Sequence, residues 1–185
     1  MKLGVIVLTN QESAGMFSSV TYRILDNYMD NYMHAPGVDW LKAFDDLTKR
    51  QRAKADEAVA KAASARAADS KPSLPLEKYA GRYTDAWYGE ISIEIAQGKL
   101  VMRFSHNPAL TGDLEHWRYD TFKARWRDRS LAADAFVTFA LNADGSIRRV
   151  NMVPVSPLTD FSFDFQDLLL TPAPGKPPSA DYRKK

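Results

Sequence analysis

The apolar positions of this chain change their spacing several times, and each change marks a different kind of element. Leu3 to Thr9 is a continuous, β-branched-rich run ended by Asn10-Gln11-Glu12-Ser13, the pattern of a strand buried on both faces. From Phe17 the period becomes helical: Phe17, Val20, Ile24, Tyr28 and Tyr32 share one side, Leu25 and Met29 widen it, Ser13 or Ser18 is placed to cap it, and His34-Ala35-Pro36-Gly37 ends it. Asp39 is positioned as the N-cap of a second helix in which Trp40, Phe44 and Leu47 fall at i, i+4 and i+7. Beyond Lys49 alanine and charge dominate to residue 68, with Val59 the only larger aliphatic side chain, so this stretch reads as an exposed linker helix. Ser70-Lys71-Pro72-Ser73-Leu74-Pro75 breaks it.

From Leu76 the period is two. Ile91, Ile93 and Ile95 alternate with polar neighbours, Gln97-Gly98 supplies a turn, and Leu100, Met102 and Phe104 continue the oily face on a returning strand. Val137, Phe139 and Leu141 lead through Asn142-Ala143-Asp144-Gly145 to Ile147–Val153 as a second hairpin, while Trp117–Trp126 and Phe161–Phe165 are expected to add further strands. Seven or eight short strands joined by tight turns predict a closed antiparallel barrel or a sandwich. The expected organisation is therefore a strand-helix segment over 1–38, a helical linker over 39–75, an antiparallel β-barrel over 76–170 and a flexible tail over 171–185. The inner face is expected to hold Ile91, Ile93, Leu100, Met102, Val137, Phe139, Phe161 and Phe163.

Charge narrows the function classes. The net charge is +2 and the pI about 8.7, but residues 76–170 carry −2 while 39–75 and 171–185 carry +2 and +3. Phosphate binding needs lysine and arginine gathered on one ordered surface, so nucleic acid is not an expected partner. The run from Leu3 to Leu8 is far below the roughly 20 apolar residues of a membrane span, and it lacks the length and cleavage site of a signal peptide. With no cysteine, disulfides, zinc-cysteine sites and a thiol nucleophile are excluded.

No constellation for covalent catalysis is present. None of the serines is followed three residues later by lysine, and Gly-x-Ser-x-Gly, Tyr-x-Asn and Lys-Thr-Gly are absent. His34, His106 and His116 are too few and too irregular for a helical zinc motif, and read as surface or turn histidines, with His106 and His116 the pair that folding would have to join. Asp160, Asp164 and Asp167 lack the glycine and terminal glutamate of a calcium loop and fit the solvent face of a strand. No cofactor and no metal are expected. Arg103, Trp117, Tyr119 and Arg125 are the candidate ligand contacts, lining a barrel mouth for a carboxylate or aromatic group, with exposed strand positions as the alternative.

Several of these segments resemble one family. Gly4–Asn10 resembles the last sheet strand of the penicillin-binding, class C β-lactamase-like serine hydrolases. Tyr22–Asp26 with Asp39-Trp40 resembles their terminal helix and exit, and Leu76-Glu-Lys-Tyr-Ala-Gly-Arg-Tyr83 resembles the opening of the lipocalin-like C-terminal domain found in many members. The resemblance implies a chain of mainly β class, a small lipocalin-like barrel preceded by a strand-helix-helix segment, from which the catalytic part of a hydrolase is missing. It implies a non-catalytic accessory domain that shapes an active-site entrance or an oligomer, with a free-standing lipocalin-like binder of a small apolar or acidic ligand as the alternative. The implied partner is the catalytic hydrolase domain, or a second copy through residues 3–33, and full-length relatives are often exported to the periplasm. Tyr79-x-Gly81-x-Tyr83 has a local meaning too: an aromatic on the first strand plugs one end of a small barrel, above a glycine that lets the backbone bend.

Overall fold

The first strand of the β region shows how the structure is built. In the computed structural model, Gly81–Asp85 (β1) pairs antiparallel with Gly89–Ala96 (β2), and each following strand pairs with its sequence neighbour: Lys99–Phe104 (β3), Thr111–Arg118 (β4), Thr121–Trp126 (β5), Ala135–Leu141 (β6) and Ile147–Pro154 (β7). The description covers residues 3–10, 13–28, 37–66 and 69–174. The short strand Thr171–Pro172 (β8) adds to the free edge of β1, while the residue just before it, Leu170, bridges to Val150 of β7 with an N···O distance of 2.8 Å. One strap thus touches both edges of the sheet and nearly closes an eight-stranded barrel. Closure matters because an open edge leaves a row of unpaired backbone groups.

Alternation decides what fills the barrel. Ile91, Ile93, Leu100, Met102, Phe104, Val137 and Phe139 all face inward and are buried, together with Leu114, Phe122, Ala124, Trp126, Val150 and Met152. Aromatic rings fill both ends. At one end Tyr79 meets Phe122 and Phe139 edge-on, with centroids 5.1 and 4.9 Å away, and at the other Trp126 packs on Phe165 and Phe104 at 5.9 Å. Such contacts add to the area they bury. The interior is consequently a packed core.

The turns follow from backbone chemistry. Gln97 and Gly98 have φ of 52° and 75°, the left-handed pair that a two-residue hairpin requires. Gly112 serves a different need: a Cβ there would lie 2.7 Å from the Arg125 carbonyl oxygen and 2.8 Å from the Trp126 ring, so only hydrogen at this position leaves room for both.

Two sequence expectations change. Phe161–Phe163 and Phe165–Asp167 are short 3-10 helices instead of a strand; Asp160 accepts from Ser162 N at 2.9 Å, Asp164 is left-handed, Phe161 is exposed, Phe163 packs against the core and Phe165 is buried in it. The strap at Leu170–Pro172 takes the edge positions such a strand would have needed. Leu3–Thr9 joins no β-ladder among the described residues, since a strand exists only with a neighbour to accept its hydrogen bonds.

By contacts the chain divides into two compact units, Met1–Glu57 and Ala58–Lys185. In the first, helix α1 runs Ala14–Tyr28 and helix α2 begins at Trp40, continuing to Ser64. Asp39 caps α2 by accepting from Lys42 N at 3.0 Å, as the sequence predicts. Trp40 and Phe44 meet Tyr22 of α1 with centroids 5.1 and 5.6 Å away, and the indole N–H donates to Asp26. Met29, Tyr32 and His34 lie outside the described residues. No described helix is long and apolar enough to cross a membrane.

Candidate functional site

The four residues singled out from sequence all sit on or beside β3–β5, but at different places. Arg103 is exposed on β3 opposite Thr111, in a groove it shares with Glu90, Ser92 and Glu94. Arg125 is exposed on β5 opposite Asp113 and lies 3.7 Å from the Glu115 carboxylate. Trp117 is half-buried near the far end of β4, and Tyr119 follows in the β4–β5 turn with φ 45° and its ring exposed. The fold therefore brings Trp117 and Tyr119 to one end of β4, and Arg103 and Arg125 towards the other, instead of gathering them around one opening. The reason is geometric: a strand advances about 3.3 Å per residue, so positions 111 and 117 on one face stand roughly 20 Å apart.

A polar constellation surrounds the β4–β5 turn. Asp120 accepts from Ser73 N at 2.9 Å, from Ser73 Oγ at 2.8 Å and from the Tyr79 hydroxyl, which in turn accepts from Leu74 N at 3.1 Å. Arg66 donates to the carbonyls of Trp117 at 2.7 Å and His116 at 3.0 Å, and its guanidinium lies 5.2 Å from the centroid of the Trp117 ring. Tyr119 N donates to Ser70 Oγ at 3.2 Å. Arg66, Ser70, Ser73 and Tyr79 are thus tied to one turn by backbone and side-chain bonds. Trp117 is part of this latch, since its outer face carries Arg66 while its ring packs on Phe136 at 5.0 Å. Periodicity gave no sign of the latch, because Trp117–Trp126 reads as one strand and Ser70–Pro75 as a break.

The electrostatics are those of a structural clamp. Burial alone would raise the Asp120 carboxyl, but the bonds from Tyr79 and Ser73 outweigh it and hold the group below the usual carboxylate range. Burial, then the facing Asp120 carboxylate, pushes the Tyr79 hydroxyl up to about 12. Tyr83, whose hydroxyl donates to Tyr79 O at 2.9 Å, is raised by burial. A tyrosine held neutral at pH 7 donates a hydrogen bond and does not act as a base.

The histidines are separated. His106 lies beside Gly89 at one end of the barrel, and His116 packs on Phe122 at the other, its Nε2 3.0 Å from Tyr119 O. Among the described residues no group of three or more histidine, aspartate or glutamate side chains is arranged to hold a metal.

Comparison with known proteins adds three findings. No curated protein matches the chain. Among solved structures, the C-terminal domain of penicillin binding protein Rv0907 is similar, with 24% sequence identity and a TM-score of 0.42 over 58% of this chain and 93% of that one. A family model matches residues 65–172, which takes in the connector latch, every barrel strand and the closing strap. That match spans more than half of the sequence, and the chain belongs to the family described as Domain of unknown function (DUF3471).

Proposed function

We propose that this protein is a non-catalytic accessory domain of a β-lactamase-like serine hydrolase, and that it shapes the entrance to the catalytic site or the assembly of the oligomer. The observation that carries this reading is the apolar surface left uncovered at the N-terminal unit. Ile6 is 87% and Leu8 90% exposed, and Phe17 and Val20 of α1 point outward beside Met16. Ile6 and Leu8 belong to the segment that resembles the last strand of a hydrolase sheet, α1 contains the one that resembles its terminal helix, and a neighbouring protein surface would supply the apolar cover these side chains lack.

Two further features support it. The barrel interior is occupied by its own aromatic side chains, which leaves an outer surface rather than a lumen for any partner to meet. The polar cluster at the β4–β5 turn uses its groups to hold the connector, and the sequence offers no serine with a lysine one helical turn on.

The reading is tested by treating the purified chain with a fluorescent penicillin and a fluorophosphonate, and by reading the DNA immediately upstream of its gene. The expected result is no stoichiometric acylation, together with an adjacent frame that encodes Ser-x-x-Lys. Labelling of one serine in every molecule would overturn it.

A further inference from the structure

The barrel end away from Tyr79 carries a surface of its own. It is made by two segments, the β1–β2 loop at Asp85–Tyr88 and residues 155–169. They are tied together: Asp85 accepts from Trp87 N at 2.7 Å, from Tyr88 N at 3.0 Å and from Leu169 N at 2.9 Å, and the Tyr88 hydroxyl donates to Phe163 O at 2.8 Å. Beneath them Tyr88 packs on Phe104 and Phe163 stacks on Phe165, so the backbone is anchored to the core.

On this fixed platform the large side chains point the wrong way for stability. Trp87 is 85% and Phe161 86% exposed, and Leu158 and Leu169 are also exposed. Trp87 borders a groove of about 320 Å³ lined by Asp85, Tyr88, Asp164, Asp167 and Leu168. The two segments contain Asp85, Asp160, Asp164 and Asp167 and no lysine, arginine or histidine, a charge of −4 on a chain whose net charge is +2. Anchored aromatic side chains lose little conformational freedom on contact and are the commonest carriers of binding energy at protein interfaces. The carboxylates decide the partner class, because they repel anionic lipid headgroups and nucleic-acid phosphates and attract cationic side chains.

We infer that this rim docks a protein segment whose lysine or arginine side chains flank an aliphatic residue, with Trp87 and Phe161 taking the apolar contacts and Asp164 and Asp167 the cations. An aliphatic stem lies along the Trp87 ring while its charged end reaches the carboxylates. The inference does not depend on whether the partner is a hydrolase domain.

The test titrates the full chain with a blocked heptapeptide of alternating lysine and leucine, following tryptophan fluorescence and calorimetry at low and high salt. Saturable binding is expected, weakened by salt, and weakened at least about tenfold by Trp87→Ala and by the pair Asp164→Asn and Asp167→Asn. Trp87 and Asp167 are exposed, so circular dichroism is expected to show these variants folded. The matching glutamate–leucine peptide and anionic phospholipid vesicles are expected not to bind. The inference is overturned by absence of saturable binding, by equal affinity in the Trp87→Ala and aspartate variants, or by equal binding of the acidic peptide or the vesicles.

Discussion

Replacing Asp120 by alanine removes the acceptor of three hydrogen bonds at once, and the structure allows the loss to be apportioned. Ser73 is exposed, so its N–H and hydroxyl find water when the carboxylate goes, and their share is small. The Tyr79 ring is fully buried, and its hydroxyl would lose a charge-assisted bond, a change worth about 1.5–3 kcal/mol. We expect Asp120→Ala to cost about 2–3 kcal/mol and Asp120→Asn, which keeps an acceptor, about 1 kcal/mol. Urea unfolding in a Trp40→Phe background, where the fluorescence comes from the barrel, measures the shift in midpoint. A double-mutant cycle with Tyr79→Phe isolates the pair and is expected to return a coupling of about 1–2 kcal/mol. The sign of the pH dependence follows from the depressed Asp120 carboxyl. Its contribution is present above the unfolded value of about 3.9 and is lost as pH falls through the lower folded value, so wild type and Asp120→Asn are expected to converge in stability only in strong acid. An Asp120→Ala midpoint within error of wild type, or zero coupling to Tyr79, would refute the latch.

Other consequences are open to direct measurement. Gly112→Ala puts a methyl group against the Arg125 carbonyl and the Trp126 indole and is expected to cost about 2 kcal/mol or more, read as a lowered melting temperature; a neutral result would show that β4 can move away. Tyr79 has its folded pKa raised to about 12, so the unfolded chain gives up this proton first as pH rises from about 10, and stability falls between those values. Alkaline titration of wild type against Tyr79→Phe is expected to show an extra loss in that window that the variant lacks. Phe139→Ala, which deletes a ring in contact with Tyr79, Tyr83 and Phe122, is expected to cost about 3–5 kcal/mol by the same urea assay.

The hairpins were legible because each strand has one buried and one wet face. Ile91 and Ile93, Leu100 and Met102, and Val137 and Phe139 alternate in sequence and lie inward in the barrel, and the glycines at 98 and 145 sit where φ is positive. The same rule misread Phe161–Phe165. Alternating phenylalanines look like a strand, yet the barrel edges there are already taken by the Leu170–Pro172 strap, and Asp160 instead caps a 3-10 turn. For Leu3–Thr9 the pattern calls for neighbouring strands, and the segment joins no ladder among the described residues. The candidate site was less legible still: alternation assigns Arg103, Trp117 and Arg125 to the outer face, but says nothing of their separation along it. The latch lay beyond any local signal, since Ser73 and Asp120 are 47 residues apart, Ser73 falls in the break before the barrel and Asp120 inside a segment that reads as one uninterrupted strand.

The central claim is that the segment through α1 is built to be covered by another protein surface. Multi-angle light scattering on the full chain, beside a variant carrying Ile6→Asp, Leu8→Asp and Val20→Asp, tests it most directly. We expect the wild-type chain, lacking a hydrolase partner, to self-associate with rising concentration, and the triple variant to remain a monomer with an unchanged barrel melt. Two monomers of equal monodispersity over that range, with Tyr28 freely nitrated in the wild-type chain, would contradict the account.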